Sequence, residues 1–234
     1  MTDAGGLFGE LYLRSTRPFL TEAVTRAEAD FLSARLPPGL RLDLGCGHGR
    51  HLERLGPGVV GVDFDQASLR QAGAAGPVIR GDFRSLPFRG GGLDAVYSWY
   101  NSLGTLDEGG LVNALAEVAR VLRPGGRLIV QGSNPAVARA NPLARYAGRL
   151  PDGSHLEEFT EWSEARGRDE LTRRLTLPDG RVMAASFFIR YYAFEAWRVL
   201  LEARGLGVVW VLGGVDGAPL SDISSDIIVG ATKW

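Results

Sequence analysis

Short apolar runs alternate with longer amphipathic segments along most of the chain. The short runs predict buried strands, and the longer segments, with apolar residues three and four positions apart, predict helices. This alternation is typical of a parallel sheet with helices on both faces. The predicted core strands are 40–44, 59–62, 78–80, 93–97, 127–131, 207–212 and 226–232, and the predicted helices are 19–36, 48–55, 66–74, 108–122 and 193–203.

The first predicted helix, 19–36, shows how apolar spacing assigns a buried side. Thr21 is its candidate N-cap, and Pro37 and Pro38 end it because proline cannot continue a helix. The residues that we expect on its buried side are Leu20, Val24, Ala27, Phe31 and Leu32.

The core pattern is interrupted after residue 131. Residues 132–155 are rich in Gly, Pro, Asn and Arg, which predicts a loop with at most one helix. Polar residues then alternate with apolar ones, which predicts antiparallel strands with one wet face. The sequence Pro178-Asp179-Gly180 predicts a hairpin turn. These predicted strands are 155–162, 170–177 and 181–191.

These patterns predict that the chain is divided into three parts. Residues 1–38 form an N-terminal helical segment. Residues 39–132 and 191–234 form the core, and residues 133–190 form an insertion over one end of its sheet. Loops beyond strand ends carry specificity, and an exposed hairpin edge is a surface for pairing. We therefore expect the insertion either to cover a substrate or to form a homodimer contact.

Composition and charge narrow the classes of protein. A net charge of −1 disfavours nucleic acid as a partner, and no apolar run is long enough to span a membrane. The first residues lack the features of a signal peptide, so we expect a cytoplasmic protein. Lys233 is the only lysine, which excludes a P-loop and disfavours a pyridoxal phosphate enzyme.

A glycine-rich turn follows the first predicted core strand, in the sequence Asp43-Leu44-Gly45-Cys46-Gly47-His48-Gly49. Glycine allows positive φ angles and a close approach of a ligand to the backbone. A dinucleotide motif would need a third glycine at position 50, where this chain has Arg50. Cys46 has no partner cysteine, and His48 and His51 have no third ligand nearby, so we expect no metal. The turn is therefore predicted to bind a ligand through its backbone.

The spacing D-x-G-x-G-x-G resembles the first motif of the class I S-adenosylmethionine-dependent methyltransferases, which holds the methionine end of that cofactor. Further segments resemble later motifs of the family in the same order: 59–65, 81–83, 93–97 and 122–130. More narrowly, the chain is similar to the small-molecule type with an insertion after strand 5. The resemblance implies an α/β, Rossmann-like three-layer sandwich. Its mostly parallel sheet has seven strands in the order 3-2-1-4-5-7-6, with strand 7 antiparallel.

The same resemblance implies a set of cofactor-binding residues. Asp63 would hold the ribose hydroxyls, Phe64 would pack on the adenine, and Asp82 would accept from the adenine amine. Arg50 either pairs with the cofactor's carboxylate or is an ordinary solvated helix residue. The full set is Tyr12, Asp43, Gly45, Cys46, Gly47, Gly49, Arg50, Asp63, Phe64, Asp82, Phe83, Ser98 and Asn101.

The resemblance implies methyl transfer from S-adenosylmethionine, and the near-neutral charge favours a small-molecule acceptor. No dedicated general base stands out, and the candidates are Tyr97, His155 and Tyr192. Tyr97, Trp99 and Tyr100 either line the transfer pocket or simply pack. Two alternatives remain open: a non-catalytic protein that binds S-adenosylmethionine or S-adenosylhomocysteine, and a methyltransferase acting on a macromolecule.

Overall fold

The computed structural model describes residues 8–234, and its strands form two separate sheets. The strands are β1 (Arg41–Leu44), β2 (Val59–Asp63), β3 (Val78–Arg80), β4 (Leu93–Ser98), β5 (Leu122–Ser133), β6 (Leu143–Arg149), β7 (His155–Ser163), β8 (Arg168–Thr176), β9 (Val182–Arg190), β10 (Leu206–Leu212) and β11 (Asp226–Lys233). The larger sheet has the order β3-β2-β1-β4-β5-β11-β10, and β11 runs antiparallel to both of its neighbours. Since β10 and β11 are the sixth and seventh strands of the core, the predicted order is confirmed.

The helices begin at side-chain caps where the sequence provides them. Thr21 Oγ1 accepts the Val24 N–H, as predicted, and Asp65 and Asp107 cap the helices that follow them. The helices are α1 (Glu10–Ser15), α2 (Glu22–Arg35), α3 (Leu52–Leu55), α4 (Gln66–Ala72), α5 (Glu108–Val121), α6 (Pro135–Ala140) and α7 (Phe194–Glu202), with short 3₁₀ turns at Arg17–Phe19 and Ser102–Thr105.

The larger sheet lies between two apolar layers, and successive side chains of each central strand point alternately into one layer and the other. On β4, Val96 packs in the layer that holds α5 and α7, while Ala95 and Tyr97 pack in the layer that holds α2 and α3. On β5, Val130 and Ile129 divide in the same way. Successive side chains of a strand point to opposite faces, so this division establishes the three-layer sandwich.

Two predictions about the helices are wrong in detail. Val24 and Ala27 are exposed, and the buried side of α2 instead includes Glu28. Apolar spacing missed this orientation because a charged residue is buried only when it is paired, as Glu28 is. The helix predicted at 48–55 is α3 alone, because Gly47 and Gly49 have positive φ angles that a helix does not accept.

The insertion forms the second sheet, in the order β6-β7-β8-β9. The predicted hairpin is confirmed by pairing of β8 with β9 around Gly180. The sheet buries one face against Leu11 of α1 and leaves the other wet. Strand β6 was predicted as loop, and the prediction is wrong. Its side chains are mostly exposed and it pairs only with β7, so no apolar alternation marks it.

Within residues 8–234, no helix is both long and apolar enough to cross a membrane.

Candidate active site

The glycine turn after β1 forms a cradle of bare backbone. Gly45, Gly47 and Gly49 have φ angles of 89°, 54° and 80°, which residues with a side chain rarely adopt. A Cβ on Gly45 would lie 2.5 Å from Ser102 Oγ, and one on Gly49 would lie 2.9 Å from Ala72 Cβ. A Cβ on Gly47 would meet nothing within 4 Å. The cradle therefore packs tightly at both ends and faces open space at its middle glycine.

Asp63, at the end of β2, lies beside this cradle and is buried. Its Oδ2 accepts the Gly47 N–H at 2.8 Å, and its Oδ1 accepts the Asp65 N–H at 2.9 Å. Burial raises the pKa of Asp63, while these backbone hydrogen bonds oppose that rise. Each carboxylate oxygen can accept a second hydrogen bond, so a pair of hydroxyl groups could be held here.

Arg50 and His51 both contact Glu28 of α2. Arg50 Nη1 forms an ion pair with Glu28 Oε2, and His51 Nε2 lies 3.0 Å from the same oxygen. Burial opposes ionisation of Glu28, but hydrogen bonds from His51 and Arg50 hold its pKa below the ordinary value. The Arg50 side chain is 10% exposed, which contradicts the interpretation of a solvated helix residue.

The second terminal nitrogen of Arg50 has a different environment. Arg50 Nη2 is buried and has no hydrogen-bond partner among residues 8–234. An unsatisfied buried donor on a guanidinium is costly, and it fits an anionic ligand. Glu28 is a residue that sequence reasoning missed; a glutamate at a predicted helix position gives no sign of burial.

Asp43 and Tyr97 lie beneath the cradle and are both buried. Burial raises the pKa of Asp43 to about 6, against opposing effects of His51, Tyr97 and Arg50. Burial also raises the pKa of Tyr97 well above its ordinary value. Tyr97 is 0% exposed, so it cannot exchange a proton with a ligand unless the fold opens.

Cys46 and His48 contribute to the cradle through their backbone rather than through their side chains. The Cys46 side chain packs against β2, where a Cβ on Gly61 would lie 2.6 Å from Cys46 Sγ. Burial raises the pKa of this thiol above its ordinary value, so it is a poor nucleophile. Burial lowers the pKa of His48 to about 4. His48 lies in the turn and His51 precedes α3, so they do not share a helix.

Of the residues predicted to bind the adenine, Phe64 and Phe83 pack near the cradle, whereas Asp82 is already paired with an arginine. The Phe64 ring contacts Phe8 at 4.7 Å between centroids, and Phe83 is buried near Gly45. Arg84 Nε donates to Asp82 Oδ1 at 2.9 Å and Arg84 Nη2 donates to Asp82 Oδ2 at 2.5 Å, and these hydrogen bonds lower the Asp82 pKa. A ligand amine would have to share that carboxylate with Arg84.

Two residues after β4 have left-handed backbones without being glycine: Tyr100 at φ 56° and Asn101 at φ 59°. Asn101 joins the ends of β4 and β5, because its Oδ1 accepts the Ser133 N–H and its Nδ2 donates to Ser133 Oγ. Strain of this kind concentrates at functional sites. Ser98 is buried, and its hydroxyl has no partner among the residues described.

A cavity of about 340 Å³ lies between this strained turn and the insertion sheet. It shares Tyr12, Tyr100 and Ser102 with the lining of the cradle, so the two spaces meet at these residues. The insertion contributes polar side chains to it that sequence reasoning missed, since strand alternation alone does not say which face is covered. They are Glu158, Thr160, Asp169 and Arg173; Tyr191, the first residue after the insertion, lines the cavity beside them.

None of the three candidate bases lines this cavity. Tyr97 is sealed beneath the cradle, and His155 is exposed at the start of β7, opposite Arg149 and Thr176. The Tyr192 ring packs on Trp197 with centroids 5.1 Å apart. A proton acceptor for a ligand in this cavity must come from elsewhere.

Comparisons with known proteins agree with the geometry. Residues 42–126 match the methyltransferase domain family. A demethylmenaquinone methyltransferase from Beutenbergia cavernae is 39% identical over 164 residues, covering 61% of this chain and 66% of that protein. The chain thus spans slightly less than two thirds of this relative's length, and 32% and 56% of the length of two other curated relatives.

Solved structures share the fold over nearly the whole chain. The CcbJ methyltransferase from Streptomyces caelestis has a TM-score of 0.79 at 21% identity and covers 93% of this chain and 98% of its own. The sugar N-methyltransferase KedS8 from Streptoalloteichus has a TM-score of 0.70 at 21% identity, covering 97% and 94%. Residues 42–126 thus form a methyltransferase domain, and the chain as a whole has the fold of the class I S-adenosylmethionine-dependent methyltransferases. S-adenosylmethionine is the methyl donor of that class.

Proposed function

We propose that this chain transfers a methyl group from S-adenosylmethionine to a small-molecule acceptor bound under the insertion. The observation that carries the proposal is the boundary formed by Tyr12, Tyr100 and Ser102, which line both the cradle and the cavity. A methyl donor held by the cradle would face that cavity across these residues. A volume of about 340 Å³ is in the range of small-molecule pockets rather than of macromolecular grooves.

The residues around the cradle fit the chemistry of S-adenosylmethionine. The unpartnered Nη2 of Arg50 suits the carboxylate of its methionine end, and the buried Asp63 suits its two ribose hydroxyls. The bare glycine backbone leaves room for the ligand beside Gly47. Tyr12 of α1 borders the space over the cradle, which holds about 30 Å³, so we expect α1 to shift when the whole cofactor binds beside Gly47.

The other proposed contacts complete this arrangement. Phe64 and Phe83 would contact the adenine, with Asp82 sharing its carboxylate between Arg84 and the adenine amine. Backbone groups of Asp43 and Cys46 would border the methionine end, while Ser98 and Asn101 would fix the turn after β4.

The bound donor supplies an activated methyl group on a sulfonium. The chain's own contribution is then to position the acceptor in line with that group and to exclude water. The insertion sheet closes the cavity opposite Tyr100 and Asn101. We therefore assign residues 133–190 the role of acceptor cover.

A homodimer contact through the insertion is a separate proposal. The edge strand β6 exposes Leu143 and Tyr146, and a free edge can pair with another chain. Sedimentation equilibrium of the protein and of a Leu143→Lys variant tests it. A monomer at all concentrations would contradict it.

Calorimetric titration with S-adenosylhomocysteine tests the cofactor assignment. We expect binding by the wild-type protein, loss of most affinity in Asp63→Ala, and no change in the control Asp222→Ala, whose side chain is exposed outside the site. Thermal unfolding verifies that each variant is folded. Absence of heat with the wild-type protein would overturn the proposal.

Transfer of label from methyl-labelled S-adenosylmethionine to a pool of small metabolites distinguishes an enzyme from a non-catalytic binder. We expect label in at least one metabolite. Binding without transfer would favour the non-catalytic alternative, and label found only in added RNA or protein would favour a macromolecular acceptor.

A further inference from the structure

Asp169 is a buried carboxylate in the wall of the cavity, and it belongs to the insertion rather than to the methyltransferase core. It lies on β8 and is 8% exposed. Tyr191 Oη donates a hydrogen bond to Asp169 Oδ2 at 2.7 Å. The Tyr191 ring stacks on Trp162, with centroids 6.0 Å apart and planes 7° from parallel, which fixes the direction of its hydroxyl.

The other oxygen of this carboxylate is free to bind a ligand. Among residues 8–234, the hydrogen bond to this carboxylate comes from Tyr191 and falls on Oδ2, and no side chain or backbone N–H donates to Oδ1. A carboxylate oxygen in a cavity wall that receives no hydrogen bond from the protein takes one from a ligand or from water. In contrast, the nearby Glu158 already has a cation, because Arg173 forms an ion pair with its Oε2 at 2.5 Å.

The charge of the cavity wall favours a cationic ligand. It contains the carboxylates of Glu158, Asp169 and Asp226 against the single guanidinium of Arg173. Arg173 is fully engaged, since it also donates to Ser15 Oγ and Thr16 Oγ1, and it cannot neutralise Asp169 as well. Tyr100 and Phe187 add aromatic rings that attract a cation.

We propose that the acceptor is an amine and that Asp169, oriented by Tyr191, binds its ammonium form and removes one proton before methyl transfer. This inference rests on the proposed methyl transfer in the same cavity. Exchange of the proton turns an ammonium and a carboxylate into a neutral amine and a neutral acid. Burial of Asp169 in the cavity wall raises its pKa and so favours that neutral pair.

The atoms and electrons of the step balance. The neutral nitrogen uses its lone pair to form a bond with the methyl carbon, while the carbon–sulfur bond breaks and its electron pair stays on sulfur. The product is a methylated ammonium, and Asp169 releases its proton to solvent when product leaves. An alcohol is a much weaker acid than an ammonium, so a carboxylate is better matched to an amine acceptor.

Label transfer from methyl-labelled S-adenosylmethionine to a panel of small primary and secondary amines, with the corresponding alcohols beside them, tests this inference. We expect label in amines and not in their alcohols. We expect Asp169→Asn to lower kcat at least ~100-fold, the usual contribution of a general base, with unchanged S-adenosylhomocysteine affinity. The control is Glu170→Gln, because Glu170 is the next residue of β8 and pairs with Arg166 and Arg168 outside the cavity.

The pH profile separates a base from a merely structural residue. Tyr191 donates to Asp169 and lowers its pKa, while Glu158 raises it; Arg173 and Asp226 are the other charged groups of this wall. Tyr191→Phe removes the hydrogen bond, so we expect the acidic limb of kcat to move to higher pH. A structural role for Tyr191 would leave that limb in place.

The outcomes distinguish this inference from the proposed function. A wild-type protein that does not bind S-adenosylhomocysteine overturns the proposed function. A protein that binds it but labels only alcohols, or labels no amine of the panel, overturns the inference alone. Equal kcat values in Asp169→Asn and in Glu170→Gln would also overturn the inference and leave the proposed function standing.

Discussion

Glu28 of α2 forms a buried ion pair with Arg50, the residue that follows the last glycine of the cradle. The pair connects the helix on one face of the sheet to the turn that would hold the methyl donor. It also leaves the second terminal nitrogen of Arg50 unpaired. The position of that nitrogen therefore depends on a residue distant in sequence.

Replacing Glu28 with glutamine should weaken both the fold and the cofactor site. The charge of Arg50 would remain buried without its partner, which costs about 3 kcal/mol of unfolding free energy in comparable cases. We also expect weaker binding of S-adenosylhomocysteine, because Arg50 would no longer be held in place. Urea unfolding and calorimetric titration measure the two effects.

The control for this prediction is Glu22→Gln on the same helix. Glu22 forms an ion pair with Arg54, but its side chain is 69% exposed. Loss of such a pair costs less than about 1 kcal/mol. Equal losses of stability in the two variants would contradict the role given to Glu28.

Gly45 should tolerate no side chain, for a reason beyond its positive φ angle. Gly205, which follows α7, also has a positive φ angle, 72° against 89°, but a Cβ there would meet nothing within 4 Å. Gly205→Ala should therefore cost only the strain of a positive φ angle, about 1–2 kcal/mol. Gly45→Ala should cost about 1–3 kcal/mol more, because its Cβ would overlap Ser102.

The double variant Gly45→Ala with Ser102→Gly provides the internal test. Removal of the Ser102 side chain takes away the atoms nearest to the new Cβ. Part of the lost unfolding free energy should return in a urea titration. No recovery would show that the Ser102 overlap is not the cause.

Cys46 should be inert in the folded protein although it lies in the cradle. It is 6% exposed, and burial raises the pKa of its thiol, so little reactive thiolate forms at neutral pH. A thiol-specific chromogenic reagent should react very slowly with the native protein. In urea, the single cysteine should react fully and quickly. Comparable rates in both conditions would contradict the buried placement.

The sequence predicts the core of the fold well and the cavity wall poorly. Apolar runs and glycine turns identify the core strands because a buried parallel sheet leaves a local pattern. The position of Asp63 follows from the ends of those strands. Glu28 and Asp169 leave no such pattern, since their burial depends on Arg50, His51 and Tyr191, which are far away in the chain. His155 looked chemically suitable, but its strand position turns it to solvent.

The buried Asp43 should make stability depend on pH in a direction opposite to that of most carboxylates. Burial raises its pKa from 3.8 to about 6, so the folded state favours its neutral form. This contribution is complete below pH 3.8 and is lost as the pH rises through 6. The raised pKa corresponds to roughly 3 kcal/mol of unfolding free energy.

His48 also makes the unfolding free energy depend on pH in this range, but in the opposite direction to Asp43. Burial lowers its pKa from 6.5 to about 4, so its contribution is present above 6.5 and is lost as the pH falls through 4. A pH titration of the wild-type protein alone would therefore mix the two groups. The difference between wild type and Asp43→Asn cancels the His48 effect, because both proteins retain that histidine. We expect urea unfolding from pH 4 to 7.5 to show the variant gaining stability relative to wild type as the pH rises. A difference that stays constant across this range would show that Asp43 titrates normally in the folded state.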